Sequence, residues 1–595
     1  MAARSGGSLA IQQFAGHVRR NDQWMETTSK GKRTSMNKIG RIILLSAGMA
    51  ASFCFGGDGG QNPSAPTVGS YADPVSDEAI RSARLLRERL LADPYRPRYH
   101  FCVPEDMGNP GDPNGAFYHD GRYHLMYLYD RRGTGFCWGH ISSADLVHWR
   151  HHPDALIPGQ GDEGCFSGGA FVDDDGTPYL SYWMLPRRTT KELHEMKGGD
   201  DFGGVGLARG IGPNFDSWTK LPGNPIIRST EWGVTQAKDQ RGQTFYYASA
   251  DPSNIWRKDG KYYLLTGNLL VLNKLGRSPE SPLNEQGDRV YLFASDDLKV
   301  WKYQHVFYER NPEWTDRSED NMCSSFLPLP SSPKGGAPSG KHLLLSISHN
   351  KGCQYFIGDY RDNHFYPQTH GRMSWVDNTY FAPEALVDGQ GRQIMWAWLH
   401  DNPPDEKQKG WSGVFGLPRN LWLGEDGTLR MQPIKELETL RSHARAWANQ
   451  PLADGETKML DGVIGDSCEL SLEIEPGDSL RCGLKVRASL GGEEETLLYY
   501  DAEAKQLVFD STRSGVAGRK VVERAPFSLK KGETVKLRVF VDKSVVEVFA
   551  NDRQAISRRV YPGRPDSLGV VLFADGPGAQ FKSIKSWEMA PANPY

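Results

Sequence analysis

The stretch Asp112–Asp130, DPNGAFYHDGRYHLMYLYD, is an acid-led turn, an apolar strand, a short hairpin carrying Asp-Gly, and a second apolar strand. Apolar positions on both sides of an Asp-Gly pair suit a tight antiparallel turn, because glycine readily takes the positive φ such turns need. The phrase returns as SGGAFVDDDGTPYLSYWM from Ser167, DPSNIWRKDGKYYLLTG from Asp251, SSFLPLPSSPKGGAPSGKHLLLSISH from Ser324 and APEALVDGQGRQIMWAWLH from Ala382. A second phrase follows several copies. WGHISSADLVHWRHH from Trp138 and VYLFASDDLKVWKYQ from Val290 are near-duplicates, with weaker relatives at GLARGIGPNFDSWTKL and CQYFIGDYRDNHFYP. Two phrases per unit make four strands, and five units close a ring. The expected fold is all-β, a five-bladed β-propeller that protects its sheet edges by radial repetition.

Working outward, the copies are unequally spaced, and the insertions at 187–203 and 272–288 are expected to form loops. Ahead of the ring, SDEAIRSARLLRERLLAD (76–93) predicts an amphipathic helix capped by Ser76 or Asp77. Behind it, GWSGVFGLPRNLWLGEDGTLRMQPIKELETLR (Gly410–Arg441) supplies closing strands and a short helix. From about residue 452, SCELSLEIEP, LRCGLKVRAS and ETVKLRVFVDKSVVEVFAND alternate as strands and predict a C-terminal β-sandwich. The expected organisation is a leader (1–35), a signal-like segment (36–57), a linker with the helix (58–96), the propeller (97–440) and the sandwich (452–595).

Residues 36–57 place Lys38 and Arg41 before an apolar run from Ile42 to Phe55, too short for a membrane span of roughly 20 residues. Met36 is a candidate start. Export to the periplasm or exterior is expected, with tethering through this segment as the alternative and no stable membrane insertion. A net charge of −3 gives no reason to expect a nucleic-acid partner. The eight cysteines form no C-x-x-C pair and no H-E-x-x-H stretch exists, so neither metal nor cofactor is expected. In an exported chain, Cys137 with Cys165 and Cys468 with Cys482 are candidate disulfides.

In a propeller the first strand of each blade lines the central channel, so the starts of the five copies converge. Those starts are acidic: Asp112, Asp251, the pair Glu319 and Asp320, and Glu384. Aspartate ordinarily opens turns, yet recurrence at repeat starts favours chemistry. Two carboxylates in one funnel suit glycosidic cleavage, in which one attacks the anomeric carbon and the other protonates the leaving oxygen. A retaining enzyme sets them about 5–5.5 Å apart. The expected partner is an oligo- or polysaccharide. Trp398, near Glu384, is a candidate for stacking on sugar, whereas His124 and His349 read as core or channel-wall residues.

These motifs resemble the invertase, levanase and inulinase family of glycoside hydrolases. GDPNGAFYHDGRYHLMYLY is similar to the family's N-D-P-N-G signature; WGHISSADLVHW (138–149), GCFSGGA (164–170) and VDKSVVEVF (541–549) are similar to further family motifs. The resemblance spans roughly 97–590 and implies retaining hydrolysis of β-fructofuranosidic bonds, as in sucrose, levan or inulin. It implies Asp112 as nucleophile, Asp251 as a transition-state stabiliser, and Asn114, Phe166 and Ser167 around the sugar ring. Three departures stand out. Asn109, Pro110 and Gly111 replace Trp-Met-Asn, Ala250 replaces the arginine before Asp251, and Met322 replaces the acid/base glutamate before Cys323. Glu319 is the first choice for a relocated proton donor because of its reach, Asp320 the second and Glu384 the third. A shifted furanoside specificity, such as arabinan, and a catalytically inactive sugar-binding propeller are the rival expectations.

Overall fold

A computed structural model describes residues 74–104, 108, 111–185, 202–400 and 409–593. The leader, the signal-like segment with Cys54, Asn109, Pro110 and most of the 187–203 insertion lie outside the described residues. Five antiparallel sheets make the blades, and each inner hairpin follows the repeated phrase. Blade one runs Pro113–His119, Arg122–Arg131, Gly135–Ser143 and Arg150–Leu156. Blade two has a broken inner strand, Gly164–Phe166 and Ala170–Val172, both pairing with Pro178–Leu185. Blade three carries Trp256–Lys258 and Lys261–Gly267, blade four Met322–Pro330 and Pro338–Ser348, and blade five Tyr380–Val387 and Gln393–Leu399. The short strand Cys102–Val103 adds to blade five through Ser412–Phe415, so the chain entering blade one is bound into the last blade.

The S-x-D-L phrase has a local cause. Asp145 Oδ1 accepts the N–H groups of Val147 and His148 at 3.0 and 2.8 Å, and Asp297 Oδ1 accepts those of Lys299 and Val300, both at 2.9 Å. The intervening Leu146 and Leu298 are both left-handed, at φ +63° and +62°. An aspartate holding the N–H groups beyond it stabilises that turn in both blades.

Three expectations change. The 272–288 insertion is not loop alone: Leu269–Leu275 is helical with Leu269–Leu272 buried, and Leu283–Glu285 is a 3₁₀ turn. The sandwich begins a strand earlier than alternation suggests, because Arg441–Pro451 pairs with Gln580–Met589 at one edge. The seven described cysteines, including Cys137, Cys165, Cys468 and Cys482, are free thiols, so neither candidate disulfide forms. The 76–93 helix forms as Asp77–Ala92, with Ser76 Oγ capping the Ala79 N–H at 3.2 Å. Among the described residues no helix is long and apolar enough to cross a membrane.

Two six-stranded sheets form the sandwich around their own core. It is joined to the propeller by buried charge. The fully buried His100 imidazole lies between Asp542 (Nδ1 to Oδ2, 2.9 Å) and Glu547 (Nε2 to Oε1, 3.0 Å). Asp542 also accepts the N–H groups of Arg98, Tyr99 and His100, and Glu547 accepts that of Leu417. The VDKSVVEVF stretch is thus an interface motif.

Candidate active site

The inner strands share a defect that shapes the site. Register breaks between Asn114 and Phe117, Met322 and Ser325, and Phe381 and Glu384. At each break one residue is left-handed: Gly115, Cys323 and Ala382, at φ +55°, +49° and +48°. Asp251, at φ +43° just before the Pro252 to Thr266 bridge, holds the corresponding place in blade three. A bulge of this kind bends the strand and re-aims side chains. Asp112 stands three residues before the left-handed Gly115, and Asp320 three before the left-handed Cys323.

The blades are also sewn to one another around the ring, mainly through their inner strands. Asn114 Oδ1 accepts the Gly168 N–H at 3.1 Å, Ser181 Oγ donates to the Ser253 carbonyl at 2.8 Å, and Asn254 exchanges two hydrogen bonds with the Phe326 backbone. Glu384 closes the circle, its Oε1 accepting the Ala116 N–H at 2.8 Å and its Oε2 the Ser325 hydroxyl at 3.1 Å. Gly168 and Gly169 permit this closeness, since a β-carbon there would collide with the Ser181 carbonyl and the Asn254 amide.

Asp112 is buried, and its Oδ2 accepts the Ser167 hydroxyl at 2.6 Å. Asn114 Nδ2 donates to the Asp112 carbonyl oxygen at 3.2 Å. Phe166 packs edge-on between Phe136 and Trp183, with centroids at 4.8 and 5.6 Å. The Trp398 indole abuts Gly111: a β-carbon on Gly111 would lie 3.1 Å from Nε1 and 2.7 Å from the Gly108 carbonyl oxygen. Asp251 is buried too, and the Cys323 thiol donates to its Oδ2 at 3.8 Å. Neither Asp112 Oδ1 nor Asp251 Oδ1 has a hydrogen-bond partner among the described residues.

Burial pushes the Asp112 carboxyl up to about 6 against the pull of Ser167 and His349. Burial and the Asp112 charge push Asp251 up to about 7. A carboxylate already charged nearby disfavours a second charge, so Asp251 holds its proton to higher pH than Asp112 does. Burial likewise pushes Glu384 up to about 8.

The three proton-donor candidates fare differently. Both oxygens of Glu319 are bound by Arg372, at 2.8 Å each, and Oε1 also accepts the Asp316 N–H. The first choice from sequence is therefore committed to an ion pair. Both oxygens of Glu384 are taken by the stitch described above. Asp320 is buried, and both its oxygens meet His349: Oδ1 accepts the backbone N–H at 3.1 Å and Oδ2 lies 2.7 Å from ring Nδ1. The sequence reads His349 as a core or channel-wall residue and does not foresee its pairing with Asp320. His349 interacts electrostatically with Asp112 and Asp251, and although burial pulls its pKa down, the three carboxylates outweigh that and raise it. The signal was slight: one polar residue ending the apolar strand opposite Asp320. Met322, where the resemblance leads one to expect a glutamate, sits inside an apolar cluster with Leu269, Ile347, Phe381 and Trp398.

Family comparison agrees with this architecture. Residues 100–433 match the glycosyl hydrolases family 32 N-terminal domain, and residues 436–588 match the family 32 C-terminal domain. The chain belongs to glycosyl hydrolase family 32. It is 30% identical over 541 residues to a levanase of Bacillus subtilis, covering 84% of this chain and 72% of that protein. It is 28% identical to a sucrose-6-phosphate hydrolase of Zymomonas mobilis, covering 85% and 94%. Its fold is similar to fructan 1-exohydrolase IIa of Cichorium intybus (TM-score 0.67, 23% identity, 84% and 98% covered). It is also similar to an exo-inulinase of Aspergillus awamori (TM-score 0.66, 22% identity, 84% and 99% covered). This family 32 chain is thus a glycosidase with a propeller and a sandwich.

Proposed function

We propose that the chain hydrolyses β-fructofuranosidic bonds with retention, Asp112 attacking the anomeric carbon to form a fructosyl-enzyme intermediate that water releases. One observation carries the reading: Asp112 and Asp251 are buried together at the inner-strand bulges, with Ser167 bound to one oxygen of Asp112. The Ser167 bond holds one carboxylate oxygen, which orients the other for attack. In this reading Asn114, Phe166 and Ser167 border the fructosyl ring and Asp251 accepts ring hydroxyls. The relatives that carry levan, sucrose 6-phosphate and fructan in their names support a fructosyl substrate. The signal-like segment supports export.

The test is turnover on sucrose, levan and inulin beside an arabinan control. Wild type is expected to release fructose, and Asp112→Asn to lose roughly 10³-fold or more in kcat while melting at the wild-type temperature. Normal turnover by Asp112→Asn, or arabinan as the preferred substrate, would overturn the reading. The buried Met322, which carries no proton, favours one rival, a propeller that binds sugar without cleaving it. Saturable binding with no product would establish that rival.

A further inference from the structure

A family member with methionine in place of the acid/base still has to protonate a leaving alkoxide. Of the three carboxylic acids the sequence offers as proton donors, Glu319 is held by Arg372 and Glu384 by Ala116 and Ser325, while both oxygens of Asp320 meet His349. Asp320 lies just before blade four's inner strand, which opens at Met322, and His349 just after the second strand, which ends at Ser348, so the pair bridges the two strands where Met322 pairs with Ile347. Its backbone is pinned as well: Asn378 Nδ2 donates to the His349 carbonyl at 2.9 Å, and the Phe381 ring meets the imidazole edge-on at 5.6 Å. The His349 side chain is 25% exposed, whereas that of Asp320 is 2% exposed, and of the pair it is His349 whose charge bears on Asp112.

Resting on the fructosidase reading, we infer that His349 is the acid/base of this chain, oriented by Asp320 as its positioning residue. Nδ1 is held by Asp320, so the mobile proton is carried on Nε2. In the first step an Asp112 oxygen bonds to the anomeric carbon and the bond from that carbon to the leaving oxygen breaks. Its electron pair stays on the leaving oxygen, which takes the Nε2 proton and leaves a neutral imidazole. In the second step Nε2 takes a proton from water, the water oxygen bonds to the anomeric carbon, and the Asp112 ester bond breaks. Its pair returns to the carboxylate, and both groups are restored. Among the described residues, the charged groups that bear on the imidazole include Asp320 from its own blade, Asp251 from blade three and Asp112 from blade one. Cys323 bears on Asp251, and Arg277 on Asp320.

The experiment compares His349→Ala and the bulkier His349→Gln with wild type. Substrates are whichever unactivated fructoside the enzyme cleaves and p-nitrophenyl β-fructofuranoside, whose leaving group departs without protonation. On the unactivated substrate both variants are expected to lose roughly 10²–10⁴-fold in kcat/KM. On the activated one the loss is far smaller, and added azide restores turnover with fructosyl azide as product. Asp320→Asn is expected to lower kcat/KM less than His349→Ala does and to move the alkaline limb of the pH profile to lower pH, because the imidazolium loses its carboxylate. Equal losses on both substrates without azide rescue in both His349 variants, or rescue of Asp251→Asn instead, would overturn the assignment. Failure of wild type on every fructoside would instead remove the fructosidase reading, and the assignment with it.

Discussion

Glu319 and Gly111 show how single residues constrain this site without touching a substrate. The Glu319 carboxylate is buried and doubly bonded to Arg372, so removing the arginine strands a charge away from water. Arg372→Ala is expected to cost about 3–5 kcal/mol in chemical denaturation. Glu319→Gln, by contrast, should leave kcat close to wild type. A collapse of kcat with an unchanged melting temperature would return Glu319 to the chemistry. Gly111 precedes Asp112 in a seat bounded by the Gly108 carbonyl and the Trp398 indole. Gly111→Ala must displace one of them or Asp112, and a shift of an ångström at a reacting group can cost about 10²-fold. A fall in kcat of that order at constant stability is the expected result. Asp112 and Asp251 were legible in the sequence because they open repeats. The His349–Asp320 contact was not, since the two residues lie 29 positions apart and a histidine ending an apolar strand reads as wall. Reach favoured Glu319 because the arginine that captures it is 53 positions away.

Among elements, the inner strands were the most readable and their bulges the least. Hairpins announce themselves through Asp-Gly turns, but a left-handed cysteine or alanine gives no local sign, because the bend is imposed by the ring. The edge strand Arg441–Pro451 went unread for a different reason: it is largely exposed, so it lacks the apolar alternation that marks a buried strand. The inner ring depends on Glu384, whose oxygens tie blade five to the strands of blades one and four. Its carboxyl is raised to about 8 from an ordinary 4.5 by burial. The folded state therefore holds a proton between those values that the unfolded chain has released, and stability falls as pH rises through that window. Glu384→Gln does not titrate. Its melting temperature is expected to decline less than that of wild type between pH 5 and 8, measured by scanning calorimetry on both proteins. Parallel pH slopes would mean that Glu384 is already ionised in the fold.

For the molecule as a whole, the question is what makes two β-domains one body. Residues 541–549 could be recognised as a motif, but their purpose depends on His100, more than 440 positions away. Burial alone would pull the His100 pKa down, yet its bonds to Asp542 and Glu547 raise it, and Glu547 is lowered in turn despite its own burial. Each shift has a sign for stability. The His100 contribution is complete below its unfolded pKa and is lost as pH rises through the folded one. That of Glu547 is present above its unfolded pKa and is lost as pH falls through the folded one. The clamp is thus strongest between those limits. Asp542→Asn turns an amide donor toward N–H groups that already donate, leaving buried donors facing one another. Wild type is expected to unfold in one calorimetric transition. The variant should unfold in two, the propeller and sandwich melting apart, with the lower one falling further as pH is raised and His100 loses its charge. A single unshifted transition in Asp542→Asn would assign the cohesion of the two domains to apolar packing instead of to the buried imidazole.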